Sequence, residues 1–245
     1  MNAAEDISIE AFLAPPATLV LSGGVGHPFG VTTNAMLGAL GGDVDVDIIY
    51  EPDQLADLDH DLLIVNALWW TMGAERYADD RAEWARSPSA DARRAVARHV
   101  AEGGSIAAFH TACICFDDWQ AWGDYLGGRW NWDRSSHPPL DETEPIRVEI
   151  VGDHVIVDGL SGFEVIDEVY GWLDLAADVE PLAASAHGGA AHPVLWAREL
   201  SSGSRVVVDT LGHDLRSVAE PTHHEIIRRS LEWALGGTVL TGVWS

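Results

Sequence analysis

Apolar residues early in the chain fall into short continuous runs, each followed by glycines or by an amphipathic stretch. ATLVLS, residues 17–22, is the first such run, and the turn GGVGHPFG leads from it into a helical pattern over about Thr33 to Leu40. DVDVDIIY, 43–50, alternates acid with apolar and predicts a strand with one wet face. DLLIVNALWW, 61–70, is apolar after Asp61 apart from Asn66, the pattern of a central parallel strand covered on both faces. Residues 89–104 combine a helical period with a serine cap and a closing glycine pair, and run straight into the strand SIAAFH, 105–110. A further helix is predicted from Cys115 or Phe116 to Leu126. Three βα units in the first 130 residues predict an α/β protein with a doubly wound parallel sheet, in which ligands gather outside the carboxyl ends of the strands.

From 145 to 210 the texture changes to shorter strand candidates: IRVEIV, HVIVDGL, EPLAAS, HPVLWAREL and SRVVVDTLG. A closing helix is predicted over 222–237. No internal repeat and no sharp change of composition divides the chain. The expectation is one domain over 1–245, with a β-rich elaboration in the second half and residues 1–16 as an N-terminal extension ending at Pro15 and Pro16.

Composition narrows the partners. Asp and Glu number 39 against 14 Lys and Arg, a formal charge of −25, and no basic cluster offsets it. Such a surface repels nucleic acid and anionic membranes, so neither is an expected partner. The 11 tryptophans outnumber the 5 Phe and 4 Tyr together, and each indole offers an apolar face suited to a core or to stacking on a sugar. The N-terminus carries acids where a secretory leader would be basic, and no apolar stretch approaches a membrane span, which predicts a cytoplasmic protein. Cys113 and Cys115 are badly spaced for a mutual disulfide. They read better as small buried thiols than as nucleophiles, because His110 is the residue at the strand-to-helix turn.

Several histidines stand where predicted strands end. His27 lies in the loop after the first strand, His110 ends 105–110, and His213 follows VVVDTLG. In an α/β sheet these loops can converge on one cleft, where imidazoles move protons or bind a metal; the plainer reading of each is a strand-end histidine held by backbone bonds. In GFEVIDEVYGW, 162–172, an extended backbone would put Glu168 and Tyr170 on one face and Asp167 on the other. A carboxylate and a phenol would then address the same substrate, the alternative being a solvated edge. His137 and His192 each precede proline and sit on stiffened loops, as binding residues or as ordinary turn residues. Trp69 and Trp70, at the cleft end of the central strand, are candidates for a sugar-stacking platform. Trp130 and Trp132 flank the loop before His137, whereas Trp119 and Trp122 equally suit a helix core stripe. No H-E-x-x-H or C-x-x-C pattern occurs, so no metal set is assigned; any divalent ion would be assembled from distant His and acid residues.

The ordered set SGGVGHPFG, GGSIAAFHTACICFDDWQAWGDYLGGRW, His137, DGLSGFEVIDEVY, HPVLWAREL, SRVVVDTLGHD and a last helix ending WALGG resembles the ThuA-like, trehalose-utilisation family. That resemblance implies a flavodoxin-like fold of the class I glutamine amidotransferase type. It also implies loss of the glutaminase nucleophile, since AFHTA with His110 stands where those enzymes carry a cysteine elbow, and it makes His27, His110, His137, Glu168, Tyr170 and His213 the family-like site positions. Where the family usually has HPI, this chain has His154 followed by valine. The expected function is acid/base chemistry, isomerisation or elimination, on a neutral or keto-sugar or disaccharide. His110, Glu168, Tyr170 and His213 would act catalytically, and His27, Trp69, Trp70, His137, Asp167 and His192 would bind substrate. No organic cofactor is needed for this chemistry, and a homo-oligomer is compatible with it. The alternatives are a non-catalytic saccharide-binding or assembly protein and, further off, a cysteine amidotransferase or hydrolase.

Overall fold

The computed structural model describes residues 15–40 and 44–237. Most of the N-terminal extension, 1–14, lies outside the described residues. Along the chain run β1 (Ala17–Gly24), α1 (Phe29–Gly38), β2 (Asp45–Ile49), β3 (Leu62–Leu68), α2 (Arg81–Trp84), α3 (Ala90–Ala101), β4 (Ser105–Phe109) and α4 (Gln120–Leu126). The second half holds β5 (Gly128–Arg129), β6 (Ile146–Ile150), β7 (Phe163–Val165), β8 (Asp174–Leu175), β9 (Pro181–His187), β10 (Ala190–Glu199), β11 (Arg205–Asp209), α5 (Leu215–Val218) and α6 (Pro221–Ala234).

Nine strands form one sheet in the order β2-β1-β3-β4-β11-β10-β9-β6-β7. The first five are parallel neighbours, and β10, β9, β6 and β7 extend the sheet antiparallel. The first half is thus the doubly wound α/β unit expected, and the β-rich elaboration is a continuation of the same sheet. β3 is buried at all seven positions, and its side chains divide by parity. Leu63 and Val65 join the core that takes Ala92, Ala95 and Val96 of α3; Leu62 and Ile64 join the opposite core with Met36 of α1 and Ile226, Ile227 and Leu231 of α6. Covering both faces explains why this segment carries no alternation. Each such Leu, Ile or Val contributes about 1.5–3 kcal/mol on burial. The polar exception, Asn66, donates to Thr32 and Thr33 at 2.9 Å and pins α1 to the sheet.

Local chemistry sets the element ends. Ser89 caps α3 by accepting from the Ala92 N–H. Gly24 ends β1 at φ +106°, and a Cβ there would stand 2.2 Å from the Leu68 carbonyl oxygen, so only glycine lets the ends of β1 and β3 close up. α1 begins at Phe29, four residues before the expected start, because the Pro28 carbonyl already accepts from Val31 and Thr32. Two expectations are corrected. The helix predicted from 115 or 116 is confined to Gln120–Leu126: Phe116 has φ +57° and donates its N–H to the Trp69 carbonyl at 2.8 Å, while the Asp117 carboxylate is taken by Thr71. HVIVDGL is not a strand but a series of turns. The Val157 N–H donates back to the His154 carbonyl and the Leu160 N–H to the Val157 carbonyl, bonds that close turns where a strand would pair with a neighbour.

Candidate active site

The carboxyl ends of β1, β3, β4 and β11 open on one side of the sheet, where the strand order turns back on itself. A cleft of about 300 Å³ lies there, lined by His27, His137, Glu168, Tyr170 and His213 among others. His27 arrives on the loop after β1, His213 on the loop after β11, and Glu168 and Tyr170 on the irregular chain beyond β7.

His110 lies beneath the lining, its ring against those of His27, Tyr170 and His213. It follows β4 directly, is 1% exposed and has φ +48°, a left-handed conformation that is unfavourable for a residue with a side chain. The sharp turn ends the strand and sets the imidazole against the cleft-lining His27, Tyr170 and His213. His110 Nδ1 is 3.1 Å from the Thr210 carbonyl oxygen, which can only accept, so the proton sits on Nδ1 and the lone pair on Nε2. The Tyr170 hydroxyl stands 3.2 Å from that Nε2 and donates to it. Burial, then the neighbouring His27, hold His110 well below its ordinary pKa, so it is neutral at pH 7. Burial and the nearby Glu168 carboxylate push the Tyr170 phenol well above its ordinary range. The pair is therefore a neutral base in contact with a protonated phenol.

Glu168 is the hub. His137 Nδ1 lies 3.2 Å from its carboxylate, His213 Nε2 3.9 Å and His110 Nε2 4.0 Å. The hydrogen bond to Glu168 raises the His137 pKa and favours an imidazolium there. His27 is shifted the other way, by burial and then by His213. The rings of His27, His110 and His213 pack edge to face at centroid distances of 4.8, 4.8 and 5.5 Å. Ligating atoms of His27, Glu168 and His213 all lie within 4.8 Å of one another, the three-residue set among the described residues that can hold a metal ion.

An aromatic wall closes one side. Trp70 stacks on Trp132 at 6.4 Å and meets Tyr77 edge to face at 5.4 Å, while Trp130 touches Tyr170 and Trp132. Arg76, held over the Tyr77 ring at 4.8 Å, is the only Lys or Arg among the cleft residues.

The structure thus brings together His27, Trp70, His110, His137, Glu168, Tyr170 and His213. It places three other expected binding residues elsewhere. Trp69 does not line the cleft and stacks on Trp84 at 6.3 Å, since adjacent residues on an extended chain face opposite ways. His192 is packed against Trp172, with Nδ1 accepting from the Trp172 N–H and Nε2 donating to the His187 carbonyl, so both ring nitrogens are spent. Asp167 is buried behind the cleft, where it accepts from the N–H groups of Gly212 at 2.6 Å and His213 at 3.4 Å. It anchors the loop that carries His213 and is not among the residues lining the cleft. Burial, opposed by Ser217 and by the Gly212 and Glu168 amides, pushes its carboxyl up to about 6.

Sequence reasoning passed over Arg76 and Tyr77, which lie in the polar stretch GAERYADD that reads as plain loop. It also passed over Thr210, which acts through a backbone carbonyl that no side chain advertises. Cys113 and Cys115 are both 2% exposed, and burial pushes the Cys115 thiol up to about 12, the setting of inert core thiols.

A family model described as trehalose utilisation, ThuA, matches residues 19–234. No curated protein sequence matches the chain. Among solved structures, a ThuA-like protein from Parabacteroides merdae superposes with a TM-score of 0.71 at 17% identity, over 94% of this chain and 93% of that one. A ThuA-like protein from Bacteroides uniformis gives 0.61 at 17% identity over 96% and 94%. A glutamine amidotransferase from Thermotoga maritima gives 0.52 at 10% identity over 90% and 98%, a likeness of fold.

Proposed function

The chain belongs to the ThuA, trehalose-utilisation family, and from that premise we propose that it is an acid/base enzyme acting on a neutral saccharide, in its finer form a keto-sugar or keto-disaccharide. The reaction class is proton abstraction from the carbon beside a sugar carbonyl, leading to isomerisation or elimination. The observation that carries this reading is the buried contact between His110 Nε2 and the Tyr170 hydroxyl, with Nδ1 fixed by the Thr210 carbonyl.

In the proposed mechanism the sugar packs its CH face on the wall of Trp70, Trp130 and Trp132 and directs its hydroxyls toward Glu168 and His213. Neutral His110 takes the proton through Nε2 once the Tyr170 hydroxyl swings from it to the sugar oxygen. The phenol stabilises the charge that develops on that oxygen. His137, as imidazolium beside Glu168, fixes the carboxylate. Tyr170 retains its proton because its phenol is buried and the Glu168 carboxylate stands nearby.

A non-catalytic saccharide-binding protein would need the aromatic wall but not a histidine and a carboxylate within 4.0 Å of each other. Assay of keto-disaccharide turnover tests the choice. His110→Gln is expected to lower kcat by about 10²–10⁴-fold with a small change in KM, and Tyr170→Phe by about 10²-fold, as loss of a positioned acid or base does. Unchanged turnover in both variants would contradict the assignment.

A further inference from the structure

We propose that His27, Glu168 and His213 form a binding site for one divalent first-row metal ion of the Zn²⁺ class, with its remaining coordination positions open to the cleft. The inference goes beyond the acid/base reading and does not depend on it, because it rests on the donor set alone.

Two imidazoles and one carboxylate are the ligand chemistry of borderline ions, and three protein ligands leave room for water or substrate. The three ligating atoms lie within 4.8 Å of one another. Bonds of about 2.0–2.2 Å place donors in a tetrahedral site about 3.4 Å apart, so binding requires closure of roughly one ångström. Each ligand comes from a loop beyond a strand end, so closure moves loops and not the sheet: His27 after β1, Glu168 after β7, His213 after β11.

The outer groups are those that orient metal-bound imidazoles. His27 Nδ1 faces the Val25 carbonyl at 3.5 Å, which leaves Nε2 for the cleft. His213 Nδ1 is buried without a hydrogen bond, and the Asp214 carboxylate stands 3.6 Å from it. A cation on Nε2 would fix the proton on Nδ1 and turn it toward Asp214, which accounts for an otherwise orphaned atom. Asp167 holds the Gly212 and His213 amides and so sets the height of the loop. His137 Nδ1, itself 2.9 Å from the Pro138 carbonyl oxygen, stands 3.2 Å from Glu168 Oε1 and helps to fix that carboxylate. The arrangement matches carboxylate–histidine–metal geometry on one ligand and a fixed carboxylate on another.

The test uses the full chain stripped with a chelator and titrated with Zn²⁺ alone, with Co²⁺ alone as the spectroscopic probe and with Mg²⁺ for comparison. Expected are one Zn²⁺ or Co²⁺ per chain, visible Co²⁺ bands of a four- or five-coordinate site, and no comparable uptake of Mg²⁺. H27A and H213A should each weaken binding by at least about 100-fold, whereas H192A, outside the cleft, should leave it unchanged. Proton NMR of the wild-type Co²⁺ form needs no variant: two contact-shifted exchangeable imidazole N–H signals are expected. No uptake by the wild-type chain, affinity that survives both H27A and H213A, or a signal from fewer than two imidazoles would overturn the site. These readouts involve no saccharide, so failure here is separate from failure of the acid/base reading.

Discussion

The choice of histidine at position 110 decides what chemistry the strand-to-helix turn can support. The backbone there is strained at φ +48°, and the nearest thiols are buried one turn further on, with Cys115 donating to the Ala67 carbonyl at 3.0 Å. A glutaminase-type nucleophile must be an accessible thiolate, and neither cysteine is one. Alkylation with iodoacetamide at neutral pH is therefore expected to be negligible in the folded chain and complete on denaturation, followed by mass spectrometry; rapid labelling of the folded chain with loss of turnover would restore the thiol mechanism. Tyr170 has a second role at this scale. Phenylalanine there removes the partner of a buried Nε2, and a loss of about 1–3 kcal/mol of stability is expected in chemical denaturation. At this scale the sequence was informative where a residue's place followed from a strand end. His27, His110 and His213 were legible by that rule, whereas His192 and Trp69 differ from them only in packing that one chain's pattern does not contain.

Elements carry the site by holding loops at fixed heights. β11 ends beside α6, and between them His223 is fully buried, with Nε2 3.1 Å from the Asp209 carboxylate and Nδ1 on the Ser217 carbonyl and hydroxyl. Burial alone would lower its pKa, but Asp209, and to a smaller degree Asp167, outweigh it, so the imidazole titrates above its ordinary value. A raised histidine pKa contributes stability that is fully present below the unfolded value of about 6.5 and is lost as pH rises through the folded value. Denaturant midpoints should accordingly fall from pH 6 toward alkaline pH, and His223→Gln should flatten that dependence; an unchanged slope in the variant would contradict the pairing. β3, α3 and α6 were readable from period and caps alone. The turns of HVIVDGL were not, because four apolar residues in seven look like a strand, and the backbone bonds from Val157 to His154 and from Leu160 to Val157 leave no mark on that pattern. Nor was the approach of Glu168 to His110, which depends on β6 and β7 pairing antiparallel at the far edge of the sheet and returning the chain past β11.

For the whole molecule, the parallel half supplies the cleft and the antiparallel half supplies the acid that fills it. The charge of −25 bears on what enters. Arg76 is the one Lys or Arg at the cleft, against Glu168 inside it, so an anionic sugar gains little local attraction and meets a repelling field. Neutral saccharides are expected to bind with affinity nearly independent of salt. Sugar phosphates should bind more weakly, and their binding should improve between low salt and about 0.5 M salt as repulsion is screened; calorimetry on both ligand types checks this. No helix among the described residues is long and apolar enough to cross a membrane.

The most direct test of proton abstraction at the His110–Tyr170 pair is solvent exchange at carbon. A keto-disaccharide incubated with the protein in D₂O is followed by proton NMR at the position beside the carbonyl. The account predicts deuterium wash-in with the wild-type chain, reduced by at least about 10²-fold in His110→Gln. Wash-in that is absent from the wild-type chain although the saccharide binds, or that persists undiminished in His110→Gln, would contradict it.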